Sequence, residues 1–150
     1  MNAPRDLLPG DVLGRIGFNR WAPVKAAHGP FQEWLHFCVH DGDLTLVVNY
    51  SQRTEPDGDM LRRIVLVRRG GAWCGDIQTV PVGDDQLLPG RVGVSFQRDR
   101  VRLVGGQLRL SLDVPALSLE AALTLTPQVF PSTTHNSRAG RAPPIHWMFV

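Results

Sequence analysis

The chain has 150 residues, a formal net charge of +2, 43% hydrophobic residues and 20% charged residues. These values are ordinary for one globular domain, so they exclude wholesale disorder, and so small a charge does not indicate a nucleic-acid partner. No window approaches the roughly 18 apolar residues of a transmembrane helix, and the amino terminus lacks the apolar run of a signal peptide. We therefore expect a cytoplasmic protein whose two cysteines, Cys38 and Cys74, are free thiols.

The segment 1–30 is rich in proline and glycine and contains Phe18 and Trp21. This composition predicts an extended lead-in that lays aromatic side chains over the folded part of the chain. The folded domain is expected to occupy residues 31–150.

The segment 31–51, FQEWLHFCVHDGDLTLVVNYS, predicts a tight β-hairpin. Its Asp-Gly dipeptide at 41–42 is favoured in a two-residue type I′ turn, which predicts a register in which the numbers of opposed residues sum to 83. In that register Glu33 lies opposite Tyr50 on a mainly apolar face. Trp34 lies on the other, amphipathic face, so the two sets of side chains point in opposite directions.

Alternation of apolar and polar residues continues through the chain and predicts further half-buried strands joined by glycine, proline and aspartate turns. No stretch longer than about ten residues shows a helical period. We therefore predict an all-β fold, an antiparallel meander that closes into a lipocalin-like β-barrel, because closure removes the sheet edges; a sandwich is the alternative. The predicted strands are 32–40, 43–52, 60–68, 73–81, 91–97, 100–105, 107–114, 117–126 and 145–150.

Two arginine pairs, at 62–63 and 68–69, are short basic clusters. Pairs of this kind typically decorate a solvated strand edge, where charge deters association between edges. We therefore expect them to be exposed rather than to bind phosphate. Asp99 is assigned to a turn that precedes the strand 100–105.

Residues 127–144 form a long polar, proline-rich segment that includes His135. A loop of this length is typically functional or mobile, and His135 belongs either to a lid or to a solvent-exposed loop. An apolar run then follows at 145–150. It is either the closing strand of a barrel or a sign that the chain is the first part of a longer protein, and we expect the second.

The sequence EWLHF at 33–37, followed by Asp-Gly at 41–42, resembles the E-W-W-Y/H-F…D-G hairpin of the carotenoid 1,2-hydratase (hydroxyneurosporene synthase) group. The run IHWMFV at 145–150 is similar to that group's H-W-x-x-V strand. Proteins of the group have tandem lipocalin-like β-barrels, so the resemblance implies an N-terminal barrel with a second β-barrel domain as its partner. Leu35 replaces the group's second tryptophan, and the group's second barrel, with much of its acid chemistry, would lie beyond these 150 residues.

The resemblance implies cofactor-independent, acid-assisted hydration or cyclisation of a hydrophobic isoprenoid- or polyketide-like small molecule. Such a reaction needs a proton donor beside an apolar cavity and aromatic faces that stabilise a carbocation. The alternative is a non-catalytic lipocalin-like module that binds an apolar ligand or packs against a sister barrel. No metal site or cofactor fingerprint is apparent. The candidate catalytic residues are Glu33, His36 and His146, and the candidate ligand-binding residues are Trp34, Tyr50, Trp73 and Trp147.

The candidate acids also have structural interpretations. Glu33 can mark a strand entrance and accept a hydrogen bond from Tyr50 or from a loop amide. His36 and His146 are acid–base candidates if both face one lumen; otherwise they are buried histidines satisfied by backbone or threonine. His40 is expected at the hairpin turn with Asp43 as its partner.

Overall fold

The computed structural model describes residues 32–83, 86, 93–126, 132–135 and 145–148, the side chains of 32–33 and of the last two ranges excepted. The lead-in predicted over 1–30 lies outside these residues. The described part consists of ten strands and one 3-10 helix, Pro115–Leu117. The strands are β1 (Gln32–Asp41), β2 (Leu44–Glu55), β3 (Gly58–Arg69), β4 (Ala72–Pro81), β5 (Gly93–Phe96), β6 (Asp99–Val104), β7 (Gln107–Val114), β8 (Leu119–Leu125), β9 (Ser132–His135) and β10 (Ile145–Met148).

Eight of these strands form two antiparallel four-stranded meanders, in which each strand pairs with the next in the chain. Sheet I contains β1 to β4 and sheet II contains β5 to β8. The all-β, antiparallel class predicted from the alternating pattern is therefore confirmed. Among the described strands no pairing joins sheet I to sheet II, so the closed barrel stays a prediction. None of the described residues forms a helix with the length and hydropathy needed to cross a membrane.

The first hairpin has a different register from the predicted one. Asp41 is the Cα partner of Leu44, so the two turn residues are 42–43 and the numbers of opposed residues sum to 85. Gly42 has φ +54° while Asp43 has no positive φ, the pattern of a type II′ turn with glycine at its first position. The predicted register was therefore wrong by two residues, but an even offset leaves every side chain on its predicted face.

The changed register separates the residues that were predicted to be opposite each other. Glu33 is the Cα partner of Gln52, and Tyr50 is the Cα partner of Leu35. His40 is opposite Thr45 and not beside the turn with Asp43. The predicted pairing of Glu33 with Tyr50 and of His40 with Asp43 was wrong, because the turn lies one residue further along the chain.

The inner faces of the two sheets pack on one another and form one hydrophobic core. Strands β1 to β3 and β5 to β8 each contribute alternate residues to it, as the period of two requires, and β4 contributes Val80. Many of these side chains are completely inaccessible to solvent, so the space between the sheets is filled by the chain's own residues. The fully buried apolar residues are Val48, Tyr50, Leu61, Val65, Val94, Phe96, Val101 and Val114.

Two charged residues, one predicted to lie on a solvated strand edge and the other in a turn, lie in this core. Arg63 has 0% relative exposure because β3 is an inner strand of sheet I and Arg63 shares its face with Leu61 and Val65. Asp99 has 1% exposure and begins β6, since the turn before it is formed by residues 97–98, where Gln97 has φ +52°. The assignments of Arg63 to a solvated edge and of Asp99 to a turn were therefore wrong.

The carboxyl-terminal hairpin corrects part of the predicted loop. Residues 132–135, which were assigned to a long loop, form β9, and β9 pairs with β10 in a separate two-stranded sheet. His146 is the Cα partner of Thr134, and Trp147 is the Cα partner of Thr133. The rest of the predicted loop lies outside the described residues.

Candidate functional site

The core contains a group of charged and aromatic side chains that connects the two sheets; we call it the buried cluster. Arg63 donates to Asp76 Oδ2 through Nη2 at 2.7 Å and to Asp99 Oδ2 through Nη1 at 3.0 Å. The Tyr50 hydroxyl donates to the same Oδ2 of Asp99 at 2.9 Å. The guanidinium lies over the Phe96 ring, 5.0 Å from its centroid, where the negative face of the ring attracts it. These five residues define the buried cluster.

The cluster is anchored to the backbone as well as by side chains. The backbone N–H of Asp113 donates to Asp99 Oδ1 at 2.8 Å, so both carboxylate oxygens of Asp99 accept hydrogen bonds. Arg63 Nη1 also lies 3.4 Å from the Asp113 carbonyl oxygen. Arg63 Nε is buried and has no hydrogen-bond partner among the described residues. One positive and two negative charges are therefore held between the sheets by strands β2, β3, β4, β6 and β7.

Burial and charge shift the ionisation of two cluster members in the same direction. Burial raises the pKa of Tyr50 far above its usual value, and the negative charge and hydrogen bond of Asp99 raise it further, against a smaller opposing effect of Arg63. For Arg63, burial lowers the pKa, but hydrogen bonds to Asp99 and Asp76 together with their charges outweigh burial, so the net pKa is raised. Tyr50 is thus held protonated and Arg63 charged, which makes Tyr50 a structural hydrogen-bond donor and a poor acid.

The outer face of sheet I, unlike the ionic buried cluster, exposes large apolar side chains to solvent. Leu66 and Trp73 on it are 38% and 56% exposed, and Ile77 is 64% exposed. Gly75 lies beside Leu66, and a Cβ there would be only 2.7 Å from Leu66 Cδ2, so this glycine leaves room for the leucine to lie flat across the sheet. We call this surface the apolar face; it consists of Trp34, Val47, Ile64, Leu66, Trp73 and Ile77.

One edge of the apolar face carries a hydrogen-bonded chain of polar side chains. Cys38 Sγ lies 3.4 Å from His40 Nε2, and His40 Nδ1 lies 3.1 Å from Thr45 Oγ1. The arrangement places a thiol beside an imidazole that a hydroxyl orients, which is the order of a nucleophile, a base and a positioning group. Two rows away on the same face, Asn49 Nδ2 of β2 donates to His36 Nδ1 of β1 at 3.5 Å. Both histidines are exposed.

The candidate residues predicted from the sequence do not come together as one site. Trp34, His36 and Trp73 share the outer face of sheet I, whereas Tyr50 points inward to the buried cluster. For the remaining candidates, Glu33, His146 and Trp147, the structure describes the backbone alone.

Sequence reasoning missed the other members of the buried cluster. Arg63 and Asp99 occupy inward positions in strands whose neighbouring inward residues are apolar, so the alternation of their strands was a signal that both are buried. For Asp76 this signal was weaker, because its inward neighbours in β4 are Gln78 and Val80. Among the described residues no group of three or more His, Cys, Asp or Glu side chains converges on a common point as a metal site would require. No protein-family model, curated protein or solved structure matches this chain.

Proposed function

We propose that this chain is a non-catalytic β-sheet module that packs its apolar face against a second protein domain. One observation carries the proposal. The described residues contain five exposed large hydrophobic side chains, and four of them, Trp34, Leu66, Trp73 and Ile77, lie on this one face. Contiguous exposed apolar surface on a folded protein typically marks an interaction site, whereas single exposed apolar residues do not.

The composition of the face fits contact with a protein. In the cross-strand register Arg62 lies in the row of Trp34 and Arg68 in the row of Trp73, so the apolar centre is bounded by arginines. The four rows from Trp34 to His40 contain no acidic residue and no lysine. Tryptophan and arginine are enriched where interfaces gain most of their energy, and lysine and acidic residues are depleted there.

The dimensions of the face also favour a protein partner over a small ligand. Four rows along the strands span about 20 Å and four strands span about 14 Å, from the usual rise and strand spacing. The face, polar residues included, therefore has an area of about 300 Å² and is open, whereas sites for small apolar molecules are concave and enclose most of the ligand. The partner therefore presents an apolar centre and places carboxylates opposite Arg62 and Arg68.

The resemblance to the carotenoid 1,2-hydratase group supports one identity for this partner. In that group lipocalin-like β-barrels occur in tandem, so a second β-barrel domain is the occupant that we propose for the apolar face. The same resemblance is the basis for proposing that sheets I and II belong to one lipocalin-like barrel. Closure of that barrel would leave the outer face of sheet I free to contact the second domain.

Site-specific photocrosslinking in the organism that makes the protein tests this function. A benzoylphenylalanine residue at position 77 is expected to crosslink to one β-rich domain, at a peptide that contains apolar residues flanked by aspartate or glutamate. The same group at Ala116, which is exposed on the 3-10 helix, is the control and should not form this adduct. The adduct should disappear in Arg68→Glu, because the reversed charge repels the partner's carboxylates. Adducts only to a second copy of the chain, or none above the control, would contradict the proposal.

A second candidate function is acid-assisted hydration or cyclisation of an apolar isoprenoid or polyketide. Trp34 and His36 are two residues apart in β1 and share its exposed face, so an indole that can stabilise a cation lies near an imidazole that can carry a proton. His36 is the candidate acid on this face, and Glu33, which alternation assigns to the opposite face of β1, is the second candidate acid under this alternative. Glu33→Gln and His36→Gln should then abolish product formation from an acyclic carotenoid while leaving the circular dichroism spectrum unchanged. Equal turnover in both variants and the native chain would eliminate this candidate.

A further inference from the structure

The outer face of sheet II contains a groove of about 400 Å³ that the apolar face and the buried cluster do not involve. Arg100, Arg102 and Arg109 line it, with the hydroxyl-bearing residues Ser111 and Thr124 between them. In the register of the sheet, Arg100 is opposite Ser111, and Arg102 is opposite Arg109, which is opposite Thr124. These five residues define the arginine groove. Three guanidinium groups and two hydroxyls thus share about two rows of one sheet face.

The charges of the arginine groove are not neutralised within the described part of the chain. Arg102 and Arg109 are direct cross-strand partners, and like charges at such positions destabilise a sheet. No acidic residue lines the groove. Asp113 and Glu120 lie one row further along the same face, and Asp113 is paired with Arg98 at 3.0 Å. Bound anions would relieve the repulsion between the opposed arginines.

Two of the arginines are held in place by neutral groups. Arg102 donates to the carbonyls of Val94 and Val101 at 2.9 and 2.8 Å and to the Ser95 hydroxyl at 2.8 Å. Arg100 likewise donates to the carbonyls of residues 97 and 99, at 2.6 and 2.7 Å. These bonds fix the side chains without compensating their charge. Because a guanidinium has five N–H groups, each arginine retains donors for a ligand.

Arg109 makes no hydrogen bond or ion pair among the described residues, so its whole guanidinium is available. Planar guanidinium forks match phosphate oxygens and bind them in a bidentate manner. One phosphate monoester carries about −1.5 to −2 charges near neutral pH, which is less than three guanidiniums supply, so a diphosphate is the better match. Val104, which also lines the groove and is 45% exposed, offers apolar contact to the remainder of such a molecule.

We propose that the arginine groove binds a small molecule bearing a diphosphate group, through Arg100, Arg102 and Arg109. This inference rests on sheet II alone and is independent of the function proposed for the apolar face. The diphosphate belongs either to a free metabolite or to the headgroup of a lipid. Both sources share the same recognition chemistry, so the experiment needs one arm for each.

Isothermal titration calorimetry of the full chain with inorganic pyrophosphate is the first arm. We expect saturable binding that weakens as salt increases and that falls about tenfold or more in Arg109→Gln, because one charge-assisted bidentate contact is lost. Arg69→Gln removes the same charge from an exposed site at the end of β3 and should leave the affinity unchanged. Arg109→Lys retains the charge but lacks the planar fork, so its affinity should be intermediate. Thermal unfolding should be the same for all three variants, since both positions are exposed.

Cosedimentation with vesicles of equimolar phosphatidylcholine and diacylglycerol pyrophosphate, a lipid whose headgroup is a diphosphate, is the second arm. Binding to vesicles that depends on Arg109 and exceeds pyrophosphate binding would support the proposal with a lipid source, and binding to pyrophosphate alone would support it with a free metabolite. No binding to either, or equal losses in Arg109→Gln and Arg69→Gln, would overturn the proposal. Tighter, Arg109-dependent binding of a single-stranded RNA than of pyrophosphate would also overturn it, because the groove would then bind a nucleic acid.

Discussion

Replacement of Asp99 by asparagine measures how much one buried carboxylate contributes to this fold. Asp99 accepts hydrogen bonds from Arg63 at 3.0 Å, from the Tyr50 hydroxyl at 2.9 Å and from the backbone N–H of Asp113 at 2.8 Å. Asparagine occupies nearly the same volume but has an NH₂ group in place of one oxygen. If that NH₂ faces Arg63, two donors oppose each other; if it faces the N–H of Asp113, the same conflict arises there.

The expected cost follows from the burial of both partners. Arg63 is 0% and Asp99 1% exposed, so water cannot replace the lost hydrogen bond. Removal of one partner of a buried ion pair destabilises a protein by about 3–5 kcal/mol. A domain of this size has a free energy of unfolding of about 5–15 kcal/mol, so this is a large fraction of the total. At about 2–4 °C per kcal/mol the midpoint of thermal unfolding should fall by about 6–20 °C.

Urea unfolding followed by far-ultraviolet circular dichroism measures this difference, with the slope of the transition expected to be unchanged. Asp113→Asn is the matched control, because it makes the same chemical change in a pair whose partner, Arg98, is 81% exposed. An exposed pair of that kind contributes about 0–1 kcal/mol. Equal losses of stability in the two variants would refute the reasoning, since the buried cluster would then contribute no more than a surface ion pair.

Two further predictions follow from the ionisable groups. Tyr50 is the single tyrosine, so absorbance at alkaline pH reports on its ionisation alone. Because the pKa of Tyr50 is raised in the folded state, the unfolded chain loses the phenol proton first as the pH rises above ~10. The free energy of unfolding should therefore fall by about 1.4 kcal/mol per pH unit there, and Tyr50→Phe should remove this decrease. Iodoacetamide should alkylate Cys38 faster than Cys74, because His40 can accept the Cys38 proton while the Cys74 thiol donates to a backbone carbonyl at 3.6 Å. His40→Ala should slow the alkylation of Cys38 alone. If peptide mass spectrometry gives the same rate for Cys38 in the native chain and in this variant, His40 does not act as its base.

The strands could be predicted from the sequence because a hydrophobic period of two and glycine-containing turns are local signals. The turns at Gly70-Gly71 and Gly105-Gly106 join strands as predicted, and these glycines have positive φ angles. The register of the first hairpin was harder to predict. Asp-Gly and Gly-Asp both occur at residues 41–43, and the choice between type I′ and type II′ turns decides the register by two residues.

The buried cluster could not be read from local patterns in the same way. Arg62 and Arg63 form a basic pair in the sequence, but because side chains alternate along a strand, the two residues lie on opposite faces of an inner strand. A buried arginine requires an anionic partner, and the nearest ones, Asp76 and Asp99, come from two other strands. Which carboxylates meet Arg63 depends on how sheet II packs on sheet I, and no sequence spacing encodes that packing.

The location of the buried cluster restricts where binding occurs. Tyr50 and Arg63 from sheet I are joined to Asp99 from sheet II, so a ligand between the sheets at this point would have to break these buried hydrogen bonds and ion pairs. The outer faces carry no such constraint, and they differ in chemistry, one apolar and the other basic. At temperatures between the unfolding midpoints of Asp99→Asn and of the native chain, this variant should therefore show reduced binding at both outer faces together, through loss of the folded state. Arg68→Glu and Arg109→Gln should instead each affect one face alone, and this difference separates residues that stabilise the fold from residues that contact a partner.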